Sequence, residues 1–278
     1  MFPEEELGTY QPPMEGRLDV PRVDILGVGV TALNLDGALR AIEGWIERGT
    51  RTYVCVTPVA GVMACQRDPE LRRIFNASGM TTPDGMPIVW FLRLLGHRSV
   101  GRVYGPDLMR AVCRRSESAG WRHHFYGGLP SVAARLAARL ETEHRGLSVV
   151  GFGTPPIPWQ PGREDREGVE TINASGADIV WVGLSTPKQE QWMAIHRSRL
   201  QAPVLIGVGA AFDFLSGVKP QAPRWMQRSG LEWLFRLAAE PRRLWRRYLA
   251  DNPLFVMLVT LQLLGLRRSE GRKAEKER

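Results

Sequence analysis

The sequence predicts an α/β protein: a mostly parallel β-sheet flanked by helices, followed by a basic helical appendage at the C-terminal end. Short β-rich segments alternate with segments of helical period from about residue 23 to residue 208. This alternation is typical of βαβ crossovers. The runs Ile179–Leu184 and Pro203–Gly209 are almost wholly apolar, as expected for parallel strands buried on both faces. After residue 208 the chain becomes rich in Arg and Trp.

The elements can be assigned in order along the chain. The predicted strands are Val23–Val28, Thr52–Val56, His123–Tyr126, Ser148–Phe152, Asp178–Leu184 and Pro203–Val208. The predicted helices, with apolar residues at i, i+3 and i+4, are Asn34–Arg48, Asp68–Ala77, Gly85–Leu95, Pro106–Ala119, Ser131–His144, Arg163–Ala174 and Lys188–Arg199. Strands joined in this way form a Rossmann-like sheet, with its active site beyond the carboxyl ends of the strands. The loops after the strands are therefore the place to look for chemistry.

Composition divides the chain into four parts. Residues 1–20 are an acidic, Pro-rich leader without the features of a secretory signal. Residues 21–218 form the α/β domain, residues 219–266 the basic amphipathic appendage, and residues 267–278 a charged, disordered end. A hydrophobic content of 44% over 278 residues excludes bulk disorder and a multi-span membrane protein. Three scattered cysteines are too few for a disulfide framework or a zinc site.

The positive charge is confined to the C-terminal part. From Lys219 to Arg278 there are 14 Lys and Arg against 6 Asp and Glu, a net charge of +8, which equals the net charge of the whole chain. A basic segment on a neutral body indicates an anionic partner: nucleic acid, an anionic membrane surface or a phosphorylated substrate. A tail that only improves solubility is the alternative reading.

An apolar stretch lies within the appendage. Leu254 to Leu266 is 13 residues long and includes only Thr260 and Gln262 as polar residues. A spanning helix needs about 20 apolar residues, so this stretch is too short to cross a bilayer. Three roles fit it: lying in a membrane interface, packing on the domain, or forming a homo-oligomer.

The loop Thr81–Gly85 is the first candidate for chemistry. Pro83 and Gly85 predict a turn at the end of a strand, with Asp84 just before a helix that starts at about Met86. Asp84 is then a carboxylate at the mouth of the sheet, placed to accept a proton. Spacing alone favours the alternative, an N-cap aspartate that accepts hydrogen bonds from the helix amides.

Further candidates follow later strands. Lys188 and Gln189 begin a helix directly after a strand and suit a sugar or a phosphate, although an ordinary surface turn has the same pattern. Glycine-rich turns at residues 126–128 and 207–211 also suit phosphate, but they match neither the dinucleotide nor the GxxxxGK[ST] fingerprint. The position of Asp107 is typical of an acidic residue in the first turn of a helix, where the helix dipole favours negative charge.

Several motifs are missing. The sequence contains no D-x-D, which many metal-dependent sugar transferases use to hold a nucleotide diphosphate through a divalent cation. It contains neither H-E-x-x-H nor G-x-S-x-G. We therefore expect chemistry that requires no metal and no cofactor.

Taken together, several segments resemble the WecG/TagA/CpsF glycosyltransferase family (glycosyltransferase family 26). They are VDILGV from Val23, the TPDG loop with its helix, RVYGPDLM from Arg102, DIVWVGLSTPKQEQW from Asp178, and IGVGAAFDFLSGVKPQAPRWMQRSGLEWLFRLAAEPRRLWRRYL from Ile206. The resemblance extends over roughly residues 23–255. It implies transfer of a sugar from a UDP-sugar to an acceptor on an undecaprenyl diphosphate carrier, with inversion and without a metal, at the cytoplasmic membrane face.

The resemblance also assigns site residues. It makes Asp84 the general base, since this is the aspartate of the family's P-D-G loop. It carries over Thr57, Arg102 and Gln189 as substrate-binding residues, and with the residues beside these motifs the predicted substrate-binding set is Thr57, Gly85, Arg102, Asp107, Lys188 and Gln189. Donor sugars of the family type are N-acetylmannosamine, its uronate and glucose, and a glucosyltransferase that extends a longer lipid-linked oligosaccharide is an alternative.

The appendage can serve the reaction as well as the membrane. Arg236, Arg243 and Arg246 are spaced seven and three residues apart and share a face if Pro241 bends the helix only modestly. Arginine grips a departing diphosphate in a bidentate manner. Aromatic residues among these arginines fit an anionic lipid interface: Trp225, Trp233, Trp245 and Tyr248. We therefore expect peripheral membrane docking that brings the appendage over the site.

Two other classes of protein share parts of this pattern. A nicotinamide-dependent oxidoreductase requires G-x-G-x-x-G after the first strand, whereas Gly29 is followed by Val30, Thr31 and Ala32. A nucleic-acid-binding protein explains the basic tail and requires strongly salt-dependent affinity. We expect no nucleic-acid partner.

Overall fold

The structure is a computed structural model, and it describes residues 18–155 and 165–266. The strands are β1 Arg22–Ile25, β2 Val28–Thr31, β3 Thr52–Thr57, β4 Met80–Pro83, β5 Arg122–Gly127, β6 Ser148–Gly153, β7 Ile179–Gly183 and β8 Val204–Gly207. The helices of the first 218 residues are α1 Leu35–Glu47, α2 Val59–Arg67, α3 Pro69–Ala77, α4 Met86–Leu94, α5 Gly105–Ala119, α6 Pro130–Glu143, α7 Arg166–Ser175, α8 Lys188–His196 and α9 Ala211–Leu215. The appendage contains α10 Arg224–Arg228, α11 Glu232–Ala239 and α12 Pro241–Leu263.

Six strands form one parallel sheet in the order β4-β3-β8-β7-β5-β6. Alternate residues of the central strands feed two cores. One core lies under α1, α5, α6 and α9, and the other under α2, α3, α4, α7, α8 and α12. The predicted α/β fold, with a mostly parallel sheet between helices, is confirmed. Because the strands are parallel, their carboxyl ends meet along one edge.

The first predicted strand, Val23–Val28, is wrong in its extent. It comprises two short strands, β1 and β2, which pair in antiparallel register as a separate hairpin. Leu26 and Gly27 form the turn, with φ values of +55° and +86°. Two successive residues with positive φ match the twist of a two-residue hairpin turn. The apolar side chains of Ile25, Leu26 and Val28 concealed this turn, since all three are buried.

Some short elements were missing from the predicted strands and helices. Strand β4, which was implied only by the turn at its end, has four residues, all of them buried. Helix α2 follows Pro58 directly and ends at Arg67, and Asp68 then caps α3 by accepting from the amides of Glu70 and Leu71. The predicted helix that starts at Asp68 therefore has a second helix in front of it. The first two residues of the predicted helix Arg163–Ala174 lie outside the described residues, as do residues 1–17 of the leader and the whole of 267–278.

The appendage folds onto the domain. Helix α11 ends at Ala239, and Pro241 begins the separate helix α12, because proline suits the first turn of a helix. The apolar stretch from Leu254 continues α12, and its residues Phe255 and Val259 are buried in the same core as β3 and β7. Of the three roles that fit this stretch, the structure shows packing on the domain. In the described part of the chain, no helix has both the length and the apolar character that crossing a bilayer demands.

Candidate active site

Asp84 lies at the carboxyl edge of the sheet, between β4 and α4. Its amide donates to the carbonyl of Thr57 at the end of β3 (3.2 Å), which fixes the loop against the neighbouring strand. The N-cap of α4 is Gly85, and no side chain bonds to the cap. The N-cap alternative for Asp84 is therefore wrong, and its carboxylate is available for another role.

Arg102 connects Asp84 to the appendage. Its Nη2 donates to Asp84 Oδ1 (3.2 Å) and to Glu232 Oε2 in α11 (2.7 Å), and its Nε donates to the carbonyl of Asp84. A weaker bond joins Nη1 to the carbonyl of Gln227 (3.4 Å), and the guanidinium lies 4.1 Å from the centre of the Tyr104 ring. The guanidinium is thus held by two carboxylates. This geometry favours a positioning role for Arg102 over the predicted direct contact with a substrate.

The surroundings of Asp84 adjust its acidity. The pKa of Asp84 is raised to about 6, chiefly by burial and also by the negative charge of Glu232, while the positive charges of Arg102 and Arg236 oppose the rise. A general base works best when its pKa lies near the operating pH. Asp84 is therefore mostly ionised at neutral pH and still basic enough to accept a proton.

Three cavities open along the carboxyl edge of the sheet. The first, about 100 Å³, lies between Asp84, α4 and the appendage. The second, about 280 Å³, lies over the ends of β3, β8 and β7 and shares Asp84 and Arg236 with the first. The third, about 400 Å³, lies over β5 and β7 and shares Ser185 and Gly209 with the second. Because neighbouring cavities share lining residues, we treat them as one channel and call it the edge groove.

Arg236 of α11 lies where the first two cavities meet. Within the described residues it forms no ion pair with a carboxylate, and its buried Nε has no hydrogen-bond partner. Its guanidinium lies 5.6 Å from the ring centre of Phe214. A desolvated arginine without a carboxylate partner is a strong site for an anion. The structure therefore brings Arg236 together with Asp84.

Gln189 lines the second cavity from the first turn of α8. The side chain is buried, and its Nε2 donates to Glu190 Oε1 (2.9 Å). Its Oε1 has no donor among the described residues and lies close to Gly209. Lys188 lines the third cavity together with Lys219. The edge groove thus offers a buried acceptor at Gln189 and two cations farther along.

The other two predicted arginines differ in position. Arg243 lines the second cavity and forms an ion pair with Glu240 (Nε to Oε2, 2.9 Å). Arg246 is exposed, lies over the Trp245 ring, and lines none of the three cavities described above. The condition for a shared face is not met, because α11 ends at Ala239 and a separate helix carries Arg243 and Arg246.

Thr57, Gly85 and Asp107 occupy different positions relative to the groove. Thr57 is buried, and its hydroxyl donates to the carbonyl of Cys55 (2.9 Å). Gly85 lines the first cavity. Asp107 accepts from Arg224 Nη1 (2.9 and 3.1 Å) and lines none of the three cavities. Thr57 therefore supports the Asp84 loop through its carbonyl, and Asp107 binds the appendage.

The structure adds residues that the sequence did not indicate. Glu232 completes the ion-pair cluster with Asp84 and Arg102. It lies in the first turn of α11, where an acidic residue is ordinarily explained by the helix dipole, so the sequence did not mark it as a site residue.

The aromatic residues of the appendage are divided between the groove and the surface. Trp233 and Tyr248, expected at a lipid interface, line the first cavity with their ring centres 6.1 Å apart. Trp225 and Trp245 are about half exposed or more, as a lipid interface requires.

Further contacts besides those of Arg102 fasten the appendage to the domain. Asp251 of α12 pairs with both Nη atoms of Arg67 (2.9 and 3.2 Å). Arg224 of α10 pairs with Asp107. Gln262 near the end of α12 bonds to two backbone groups of the β1–β2 hairpin, at 2.8 and 3.0 Å. The appendage therefore already covers Asp84 in the isolated chain.

The described residues contain no group of three or more His, Cys, Asp or Glu side chains arranged to hold a metal ion. The chemical groups at the edge groove are instead a basic carboxylate, an unpaired guanidinium, a buried amide oxygen and additional cations. Such a set can deprotonate a hydroxyl and bind a negatively charged leaving group.

Comparison with known proteins gives two findings. The model of the glycosyl transferase WecG/TagA/CpsF family matches residues 23–269. A relative from Bacillus spizizenii, an N-acetylglucosaminyldiphosphoundecaprenol N-acetyl-beta-D-mannosaminyltransferase, is 30% identical over 197 residues, which are 71% of this chain and 74% of the relative. The matched range contains Asp84, Arg102, Gln189 and the appendage helices. The chain therefore belongs to the WecG/TagA/CpsF family of glycosyl transferases.

Proposed function

We propose that this glycosyltransferase moves a sugar from a UDP-sugar to a saccharide on an undecaprenyl diphosphate carrier, in the synthesis of a cell-surface polysaccharide. The acceptor class is supported by the relative, whose name specifies an N-acetylglucosaminyldiphosphoundecaprenol acceptor and an N-acetylmannosaminyl group. The transferred sugar is of the N-acetylmannosamine type, its uronate, or glucose. The observation that carries the proposal is that a basic carboxylate, Asp84, and a cation without a carboxylate partner, Arg236, line the same two cavities of the edge groove.

The reaction is a direct displacement at the anomeric carbon. Asp84 accepts the proton of the acceptor hydroxyl, whose oxygen forms the new glycosidic bond. The bond between the anomeric carbon and the diphosphate oxygen breaks, and its electron pair leaves with UDP. Since attack and departure occur on opposite faces, the configuration inverts.

The leaving group is stabilised by cations and polar groups of the second cavity. Arg236 faces this cavity without a carboxylate partner, and Arg243 lines it from α12. A preorganised donor at a developing charge is worth about 3–4 kcal/mol when removed from comparable sites. Gln189 Oε1 is suited to accept from a hydroxyl or amide of the donor. Arg102 acts through Asp84, which it positions, and does not touch the reacting atoms.

A transfer assay tests this function. The protein is incubated with UDP-sugars and with polyprenyl-diphosphate acceptors that carry one or several sugars, and the product is identified by mass and anomeric configuration. We expect one glycosidic bond of inverted configuration, and about the same rate in excess EDTA as without it. Retention of configuration, loss of activity in EDTA, or no transfer to any lipid-diphosphate acceptor would contradict the proposal. Preference for the longer acceptors would select the oligosaccharide-extending alternative.

We also propose that the appendage places the enzyme peripherally on the cytoplasmic face of the membrane. One side of α12 packs on the domain. The residues of α12 that expose large apolar side chains are Trp245, Leu249, Val256, Met257 and Leu263. Apolar side chains among arginines suit an anionic lipid interface. Sedimentation with vesicles tests this, and Leu249→Ser/Val256→Ser should lower the bound fraction several-fold. Equal binding of this variant and the wild type would contradict it.

A further inference from the structure

Helix α4 exposes apolar residues on the side that faces away from the core. Ile88, Val89 and Leu92 are buried, whereas Trp90 is 50% and Leu94 71% exposed. A surface helix ordinarily presents polar residues on its outer side. Folding gains little from a half-exposed tryptophan and a mostly exposed leucine, so this side of α4 is suited to binding something apolar.

The exposed residues continue from the active site. Met86, Trp90 and Leu94 are spaced four residues apart and therefore form one line along the helix; we call them the α4 stripe. Met86 lines the first cavity next to Asp84. At Gly230, in the turn before α11, an added Cβ would lie 2.9 Å from the Trp90 ring and 3.3 Å from Met86. The stripe thus runs from the cavity past the appendage to the surface, over about 12 Å.

The shape of the stripe limits what can bind there. A stable protein interface buries roughly 800 Å² per partner, and aromatic side chains bury at most about 150–250 Å² each. A line of three side chains is therefore too small for a second copy of this chain. A single flexible hydrocarbon chain fits a surface that is one side chain wide.

We propose that the α4 stripe binds the polyprenyl chain of the lipid-linked acceptor, next to its diphosphate. This inference rests on the proposed function. The saccharide then enters the first cavity at Asp84, and the chain leaves along Trp90 and Leu94 towards the membrane. The stripe would thereby add affinity for the lipid chain and select acceptors by their lipid.

Two acceptors that carry the same saccharide diphosphate test the proposal: one with a long polyprenyl chain and one with a short water-soluble alkyl chain, both in detergent. For Trp90→Ser/Leu94→Ser we expect about a tenfold higher KM for the long-chain acceptor. The kcat, the KM for the UDP-sugar and the KM for the short-chain acceptor should stay within about twofold. Leu94→Ser alone, at the more exposed position, should raise the long-chain KM by about threefold without changing the Tm.

Phe152→Ser is the matched control, because Phe152 is 52% exposed on β6, at the opposite edge of the sheet from β4. It should leave both acceptor KM values unchanged. Unchanged KM values in the stripe variants, or an equal rise for the two acceptors, would overturn the proposal. A shift in sedimentation coefficient with unchanged KM values would overturn it in favour of a second copy. If the wild type transfers to neither acceptor, the proposed function fails as well.

Discussion

Replacing Asp84 with asparagine is expected to lower kcat by about 10²–10⁴-fold, the usual contribution of a positioned general base. Asparagine keeps the size of the side chain and still accepts from Arg102, but it cannot take up the proton of the acceptor hydroxyl. Steady-state transfer with saturating UDP-sugar measures the effect. The KM for the donor should change by less than about threefold, because the side chains proposed to contact the donor, Arg236, Arg243 and Gln189, are unchanged.

The fold should survive this substitution, and the sign of the pKa shift gives the reason. The folded-state pKa of Asp84, about 6, lies above its ordinary value. Its contribution to stability is therefore complete at low pH and is lost as the pH rises through about 6. At pH 8 the ionised carboxylate does not stabilise the fold, so Asp84→Asn should not lower the Tm. Asp36→Asn, at an exposed position in α1, is a control that should keep wild-type turnover.

Replacing Arg236 with alanine is expected to lower kcat by about 10²–10³-fold, because in the proposed reaction its guanidinium binds the charge that develops on the leaving diphosphate. Arg236→Lys should recover part of the rate, since lysine keeps the charge but not the bidentate fork. Arg228→Ala is the control: Arg228 belongs to the same appendage, is exposed, and lines none of the three cavities. Turnover of Arg236→Ala within about threefold of the wild type would remove Arg236 from the leaving-group site.

The strands that form the parallel sheet were largely predictable because their apolar runs are long and bounded by turn residues. The elements that escaped prediction lack such signals. Val23–Val28 conceals a two-residue turn among buried apolar side chains. Helix α2 follows β3 with only Pro58 between them, so no loop marks its start. Strand β4 is four residues long, and periodicity cannot distinguish so short a segment from a turn.

The candidate site residues were predictable where a motif follows a strand, as for Asp84 and Gln189. Contacts between residues that are far apart in the sequence were not predictable. Glu232 lies 130 residues after Arg102, the residue that it pairs with, and nothing in the sequence links the two. Periodicity suggested that three appendage arginines share one face, whereas the break at Glu240 leaves Arg236 and Arg243 at the groove and Arg246 in solvent. The resemblance to the family therefore singled out Asp84 as the proposed base, and only the fold shows how the appendage surrounds it.

The appendage forms part of the candidate active site. It supplies Arg236 to the groove and Glu232 to the ion-pair cluster with Asp84, and its other contacts with the domain hold these groups in place. Membrane docking is thus not needed to bring the appendage to the site. In the proposed arrangement, docking orients an assembled site towards its lipid-linked acceptor.

The pH dependence of kcat/KM for the acceptor tests the central role of Asp84 most directly, because this ratio reports the ionisation of the free enzyme. A base must be deprotonated, so the ratio should rise with pH through an apparent pKa of about 6 and then level off. In Glu232→Gln this rise should move to lower pH, because the charge of Glu232 contributes to the raised pKa of Asp84. The residual activity of Asp84→Asn should lack the rise. A flat wild-type profile, or the same rise in Asp84→Asn, would contradict the account.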